Sequence, residues 1–124
     1  MFSIDKELDS VLVTGGTGFL GRHVAMELRS RGYENIVLAH TGKKHNIKWC
    51  YDNEFHQDHS YLRDFDEAHY LLSSCNPKAI INLAASVGGI GANQVRPSDF
   101  TATTLVIGTS LIGASLLLKP TPKF

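Results

Sequence analysis

Apolar residues along this chain fall into short runs and four-residue stripes that alternate with one another. Val11-Leu12-Val13 is a β-branched run that ends in the glycine cluster Gly15, Gly16, Gly18 and Gly21, which predicts a buried strand running into a tight turn. Leu20, Val24 and Leu28 then recur at the spacing of one helical face, with Arg22, Glu27, Arg29 and Arg31 off it. Gly32 stands where a helix end favours a residue with positive φ. Ile36-Val37-Leu38-Ala39 predicts a second strand, closed by Thr41-Gly42. From Lys43 to Ser60 the pattern is poor; Ile47, Trp49 and Tyr51 alternate with Lys48 and Cys50 and mark a candidate third strand. Asp64 and Glu67 have the spacing of a capping box, and Phe65, Ala68, Leu71 and Leu72 follow at helical intervals until Asn76-Pro77. Residues 79–85 are nearly all apolar, as a strand covered on both faces should be.

Strands alternating with helical stripes imply an α/β fold, a doubly wound parallel sheet joined by right-handed crossovers. No internal repeat or linker divides the chain, so residues 1–124 are read as one unit. The uncharged stretch 101–118 touches the lower limit for a membrane span. Thr101, Thr103, Thr104, Thr109, Ser110 and Ser115 make it polar for that role, and no aromatic belt flanks it. It reads instead as a helix buried at a subunit or domain interface, ended by Pro120 and Pro122.

Composition narrows the function classes. Twelve Lys+Arg balance twelve Asp+Glu in 124 residues, which argues against nucleic-acid binding and against an acidic disordered tail. The hydrophobic share of 43% is enough for a real core. Cys50 and Cys75 are too few and too far apart for a disulfide framework or a CxxC metal site. His40, His45, His56 and His59, with Asp58 nearby, lack recognised ligand spacing and read as loop histidines, so no metal is expected. Residues 1–10 carry Asp5, Glu7 and Asp9 and no apolar run, so no signal peptide is read there and a cytoplasmic location is expected.

The chemistry is concentrated in Thr14-Gly15-Gly16-Thr17-Gly18-Phe19-Leu20-Gly21. A glycine-rich turn between a strand and a helix lets a pyrophosphate approach the backbone at Gly18 with no Cβ in the way. Gly21 permits close packing of helix on strand, and the helix N-terminus offers free N–H groups and a positive dipole end. The bland alternative is a glycine turn with no ligand, but the strand before it and the helix after it supply the context that the motif requires. An acidic residue about 20 positions on would bind a ribose 2′-hydroxyl, whereas a cation suits a 2′-phosphate. Here Ala39, His40, Thr41, Gly42, Lys43 and Lys44 follow, with no carboxylate before Asp52. That favours NADP over NAD, against the alternative that Lys43 and Lys44 are a solvated loop.

At TGGTGFLG the sequence resembles the extended short-chain dehydrogenase/reductase family. The run from Asn82 through Val87-Gly88-Gly89-Ile90 and Asn93 to Pro97-Ser98-Asp99-Phe100 is more discriminating, and resembles the GDP-L-fucose synthase family, which converts GDP-4-keto-6-deoxymannose to GDP-L-fucose. The similarity extends over residues 10–115 and corresponds to the first third or so of a typical member. It implies an incomplete, Rossmann-like fold, the N-terminal part of an NAD(P)-binding domain without its substrate domain. It also implies site residues. Gly15, Gly18, Phe19, Leu20 and Gly21, with Thr17 in the same loop, would hold the pyrophosphate. On the cofactor reading above, Thr41, Lys43 and Lys44 would lie at the ribose; the resemblance puts Leu62 against the adenine, and Ala84 and Ala85 on the nicotinamide-ribose side. Ser86, Val87, Gly88, Gly89 and Asn93 would approach the sugar nucleotide; Ser86 lacks the His/Asp partners that would make it a nucleophile. Tyr61 stands where the family has Asp or Asn, and Thr104 and Ser110 where its helix shows Asn.

No catalytic residue is assigned. The family uses Tyr-x-x-x-Lys, and Tyr33, Tyr51, Tyr61 and Tyr70 are followed four residues on by Val37, Phe55, Phe65 and Ser74. Three classes remain: the NADP-binding portion of a GDP-sugar epimerase/reductase, inactive alone and homodimeric in its longer relatives; another sugar-nucleotide epimerase or dehydratase of the extended family; or a dinucleotide-binding module without catalysis. None involves nucleic acid or a membrane.

Overall fold

The computed structural model describes residues 2–42, 44–85 and 97–124. Within them lie four strands, β1 (Ser10–Thr14), β2 (Asn35–His40), β3 (His56–His59) and β4 (Ala79–Asn82). The helices are α1 (Phe19–Ser30), α2 (Lys44–Asp52), α3 (Phe65–Cys75) and α4 (Pro97–Ser115). The strands form one parallel sheet in the order β3-β2-β1-β4.

Alternation along each strand sorts side chains to the two faces. Val11 and Val13 of β1, with Ile36 and Leu38 of β2, pack with Ala25 of α1 and with Cys50 and Phe55. Leu12, Ala39 and Ile80 point the other way, into a cluster with Ala68, Leu71 and Leu72 of α3 and Ile107, Leu111 and Ala114 of α4. Two helices therefore cover each face, as right-handed parallel crossovers demand when the chain first winds outward to β3 and then returns beyond β1. The strand order reverses between β1 and β4, and the C-terminal ends there define the crevice where such sheets take ligands.

Helix ends follow the expected chemistry. Gly32, at φ +91°, closes α1: its N–H donates to Arg29 O and that of Tyr33 to Leu28 O, the paired bonds of a Schellman motif. Asp64 caps α3, its carboxylate accepting from the N–H groups of Asp66 and Glu67. Glu67 reaches back past the cap, accepting from Tyr61 N at 2.6 Å, so the box closes one turn early. Asn76, in the left-handed region, ends α3.

Three expectations need correction. Ile47, Trp49 and Tyr51 lie on helix α2, and the third strand is His56–His59. Trp49 and Cys50 pack inward while Tyr51 is exposed, a helical rather than alternating distribution. Leu20 is 56% exposed; the inward face of α1 is Gly21, Val24, Ala25 and Leu28. β4 stops at Asn82, although Leu83 N still donates to Thr14 O. No helix among the described residues is long and apolar enough to cross a membrane.

Candidate functional site: a cleft at the carboxyl ends of the strands

The glycine loop is fixed from three sides. Gly15 adopts φ +63°, and a Cβ there would lie 2.8 Å from the Leu83 carbonyl group, so glycine lets the loop close against the end of β4. The buried Thr14 hydroxyl donates to Asn82 Oδ1 at 2.5 Å and accepts from Ala84 N at 3.3 Å, tying the same two segments together. Gly16 N donates to Ala39 O, linking the loop to β2. The sequence motifs contain Thr14 and Asn82 but do not pair them; a polar residue at the matched ends of two apolar strands is the available signal.

Gly18 and Gly21 differ sharply. A Cβ on Gly21 would lie 2.1 Å from the Gly15 carbonyl oxygen, so the fold itself requires glycine there. A Cβ on Gly18 meets nothing closer than that same oxygen at 3.3 Å. The space beside Gly18 is open to the cleft. Helix α1 starts there with no side-chain cap and no acidic residue in its first turn, in contrast to α3 with its Asp64 cap, Asp66 and Glu67. Uncapped N–H groups at a positive dipole end, beside open space, suit a phosphate. Phe19 and Leu20 are exposed, Phe19 edge-on against His23, so what they offer a phosphate is their backbone N–H.

The cleft above this loop has a volume of about 680 Å³. It brings together Gly15, Thr17, Gly18, Thr41, Leu62, Ala84 and Ala85 from the sequence-expected set, and adds His40, Asn46 and Arg63. Leu62 is 6% exposed and shared with the core beneath α3 and α4. Tyr61 is exposed at the rim with its ring edge-on to His59. His40 is buried at the end of β2; its Nδ1 accepts from Gly42 N at 2.8 Å, which leaves Nε2–H to donate to Gln57 Oε1. Lys44 is exposed on α2 and is not among the cleft-lining residues. Lys43, Ser86, Val87, Gly88, Gly89 and Asn93 lie outside the described residues.

Electrostatically the cleft is neutral to cationic. Ala39 presents a methyl group at the end of β2, and among the described lining residues there is no carboxylate and one full cation, Arg63. The described residues hold no group of three His, Cys, Asp or Glu placed to bind a metal ion. Both thiols sit outside the cleft, and burial pushes both upward in pKa, Cys75 to about 11.

Curated relatives and solved structures agree with this geometry. A UDP-glucose 4-epimerase of Rhizobium meliloti is 26% identical over 110 residues, 87% of this chain and 32% of its own length. A probable GDP-L-fucose synthase of Oryza sativa subsp. japonica is 29% identical over 106 residues, 86% of this chain and 27% of its own. The UDP-glucose 4-epimerase of Brucella ovis, solved in complex with NAD, superposes with a TM-score of 0.73 at 25% identity, over 90% of this chain and 33% of that one. The chain thus spans about a third of the length of the relatives it matches. The model of the NAD dependent epimerase/dehydratase family matches residues 11–124, nearly the whole chain, and the protein belongs to that family.

Proposed function

We propose that this chain is the NADP-holding portion of a nucleotide-sugar epimerase/reductase of the GDP-L-fucose synthase kind. The observation that carries the cofactor reading is the absence of a carboxylate from the described lining of the cleft, with Ala39 at the end of β2. A carboxylate there would hydrogen-bond the ribose 2′-hydroxyl and repel a 2′-phosphate. The cleft wall at Gly18 and the uncapped start of α1 take the pyrophosphate. Leu62 and Tyr61 border the adenine, and Ala84 and Ala85 the nicotinamide ribose. When bound, the nicotinamide supplies the hydride chemistry; the residues here bind and orient it.

The sugar nucleotide is read from the run Val87-Gly88-Gly89-Ile90 with Asn93 and Asp99-Phe100, and a GDP-L-fucose synthase among the relatives supports it. The reading carries with it a cytoplasmic location and, for the longer relatives, a homodimer. A second reading, an NAD-dependent UDP-sugar epimerase, is favoured by the NAD-bound structural neighbour. Titration of NADPH and NADH into the chain separates them: NADPH is expected to bind at least about tenfold tighter, a difference of about 1.4 kcal/mol. Equal affinities, or a preference for NADH, would remove the first reading.

No tyrosine here has a lysine four residues on, so the chain as given is expected to bind cofactor without turnover. A general acid is needed to protonate the alkoxide that forms as hydride arrives. NADPH absorbance with GDP-4-keto-6-deoxymannose should stay at the no-enzyme rate, and a faster decline would show that another group protonates the alkoxide.

A further inference from the structure

We infer that Arg22 is the residue that selects the 2′-phosphate, an inference that rests on the dinucleotide reading above. Arg22 lies in the first turns of α1, half-buried. Its Nε donates to Thr17 O at 2.8 Å and its Nη2 to Asn46 Oδ1 at 3.1 Å. Its guanidinium carbon lies 4.9 Å from the centroid of the Trp49 ring. All three partners are neutral. The ion pairs among the described residues are Arg31–Glu27 and Lys48–Asp52, and Arg22 takes part in neither. A partly desolvated guanidinium held by a carbonyl, an amide and an indole keeps its full charge available to an anion.

Its position says which anion. Arg22 lines a second cavity, of about 740 Å³, between the start of α1 and α2. Thr17, Gly18 and Asn46 line both this cavity and the dinucleotide cleft, so the two share a wall. A pyrophosphate over Gly18 places the adenosine ribose at the end of β2, with its 2′ substituent toward the β2–α2 connection. Asn46 stands on the first turns of α2 at that point. The group that belongs beside the Arg22–Asn46 pair is therefore a phosphate on the 2′ oxygen, facing the guanidinium edge that Thr17 and Asn46 leave unused.

The guanidinium is also held ready. Trp49 stacks on Phe55 at 5.4 Å, and Arg29, about two helical turns beyond Arg22, lies over the Phe55 ring at 3.7 Å. Two stacked aromatic rings thus each carry a guanidinium group from one face of α1. That stack fixes the Arg22 side chain before any ligand arrives and lowers the entropy lost on binding. Lys44 is exposed and long, and no ring among the described residues is stacked on it.

Trp49 is the sole tryptophan, so its emission reports on this site directly. Adenosine 2′,5′-bisphosphate and adenosine 5′-monophosphate are titrated into the full chain and into Arg22→Gln, Arg22→Lys and Lys44→Gln, with circular dichroism on each. The bisphosphate is expected to bind wild type at least about tenfold tighter than the monophosphate. Arg22→Gln should bring that ratio to within about twofold while leaving monophosphate affinity in place, and Arg22→Lys should keep part of it. A purely structural Arg22 would weaken both nucleotides together and leave the ratio unchanged, which overturns the inference. So does a ratio that survives Arg22→Gln and collapses in Lys44→Gln. If wild type binds both nucleotides equally, the NADP reading falls with it; if it binds neither, the dinucleotide reading falls first.

Discussion

Gly18 and Gly21 belong to one motif, yet the structure gives them opposite reasons for being glycine. Beside Gly21 there is backbone at 2.1 Å; beside Gly18 the nearest atom is the Gly15 carbonyl oxygen at 3.3 Å, which a small shift of the loop relieves. Gly18→Val should therefore keep the circular dichroism of wild type and lose dinucleotide binding. Gly21→Ala should unfold the chain or cost at least roughly 1–3 kcal/mol, because α1 must back away from the loop. Retained binding in a folded Gly18→Val would place the phosphate elsewhere. Cys75 supplies a second test. Burial, with Asp58 adding repulsion, pushes its thiol from 9.0 up to about 11. Below pH 9.0 both folded and unfolded chains hold the proton, so its contribution is intact; as pH rises toward 11 only the unfolded chain releases it, and stability falls. The melting temperature of wild type relative to Cys75→Ala should therefore decline across that window, and a difference that is flat with pH would show the thiol to be solvated.

Among the elements, α1 and α3 begin in contrasting ways. Helix α3 spends its first-turn N–H groups on the Asp64 side chain; α1 begins at Gly18 with no side chain to accept them. Asp64→Ala should cost about 1 kcal/mol in chemical denaturation and leave nucleotide affinity unchanged. A loss of affinity on that substitution would mean that the α3 start communicates with the cleft through Tyr61, whose N–H Glu67 holds. Helix α2 was the element that sequence misassigned. Ile47, Trp49 and Tyr51 alternate on paper, but in the fold Trp49 turns to stack on Phe55 and under Arg22. Those partners lie 6 and 27 positions away in sequence, beyond the reach of a local pattern.

On the whole molecule, α4 is apolar on nearly every side. Ile107, Leu111 and Ala114 face α3 and the sheet, while Leu105, Val106, Ile112, Leu116 and Leu117 are exposed. Leu111 is fully buried. What remains outside is still five large apolar side chains on α4 and the turn after it. Sedimentation should show the isolated chain self-associating, and Leu105→Gln with Ile112→Gln should raise the monomer fraction. A monodisperse wild-type monomer at high concentration would contradict this.

The sheet, its parallel sense and its glycine loop were legible in the sequence because each rests on local physics. Val11 to Val13, Ile36 to Ala39 and Ala79 to Asn82 are runs too apolar to lie anywhere but inside, and the Gly15–Gly21 spacing suits a strand-to-helix turn. The helix stops at Gly32 and Asn76 were equally local. Tertiary structure alone decided what required distant residues to meet. It put Leu20 in solvent and Leu111 in the core, made His56–His59 the third strand through pairing with β2, and joined Thr14 to Asn82 across 68 positions. It also brought Arg22 onto Trp49, in the cavity that shares a wall with the cleft, a pairing which no sequence spacing marks.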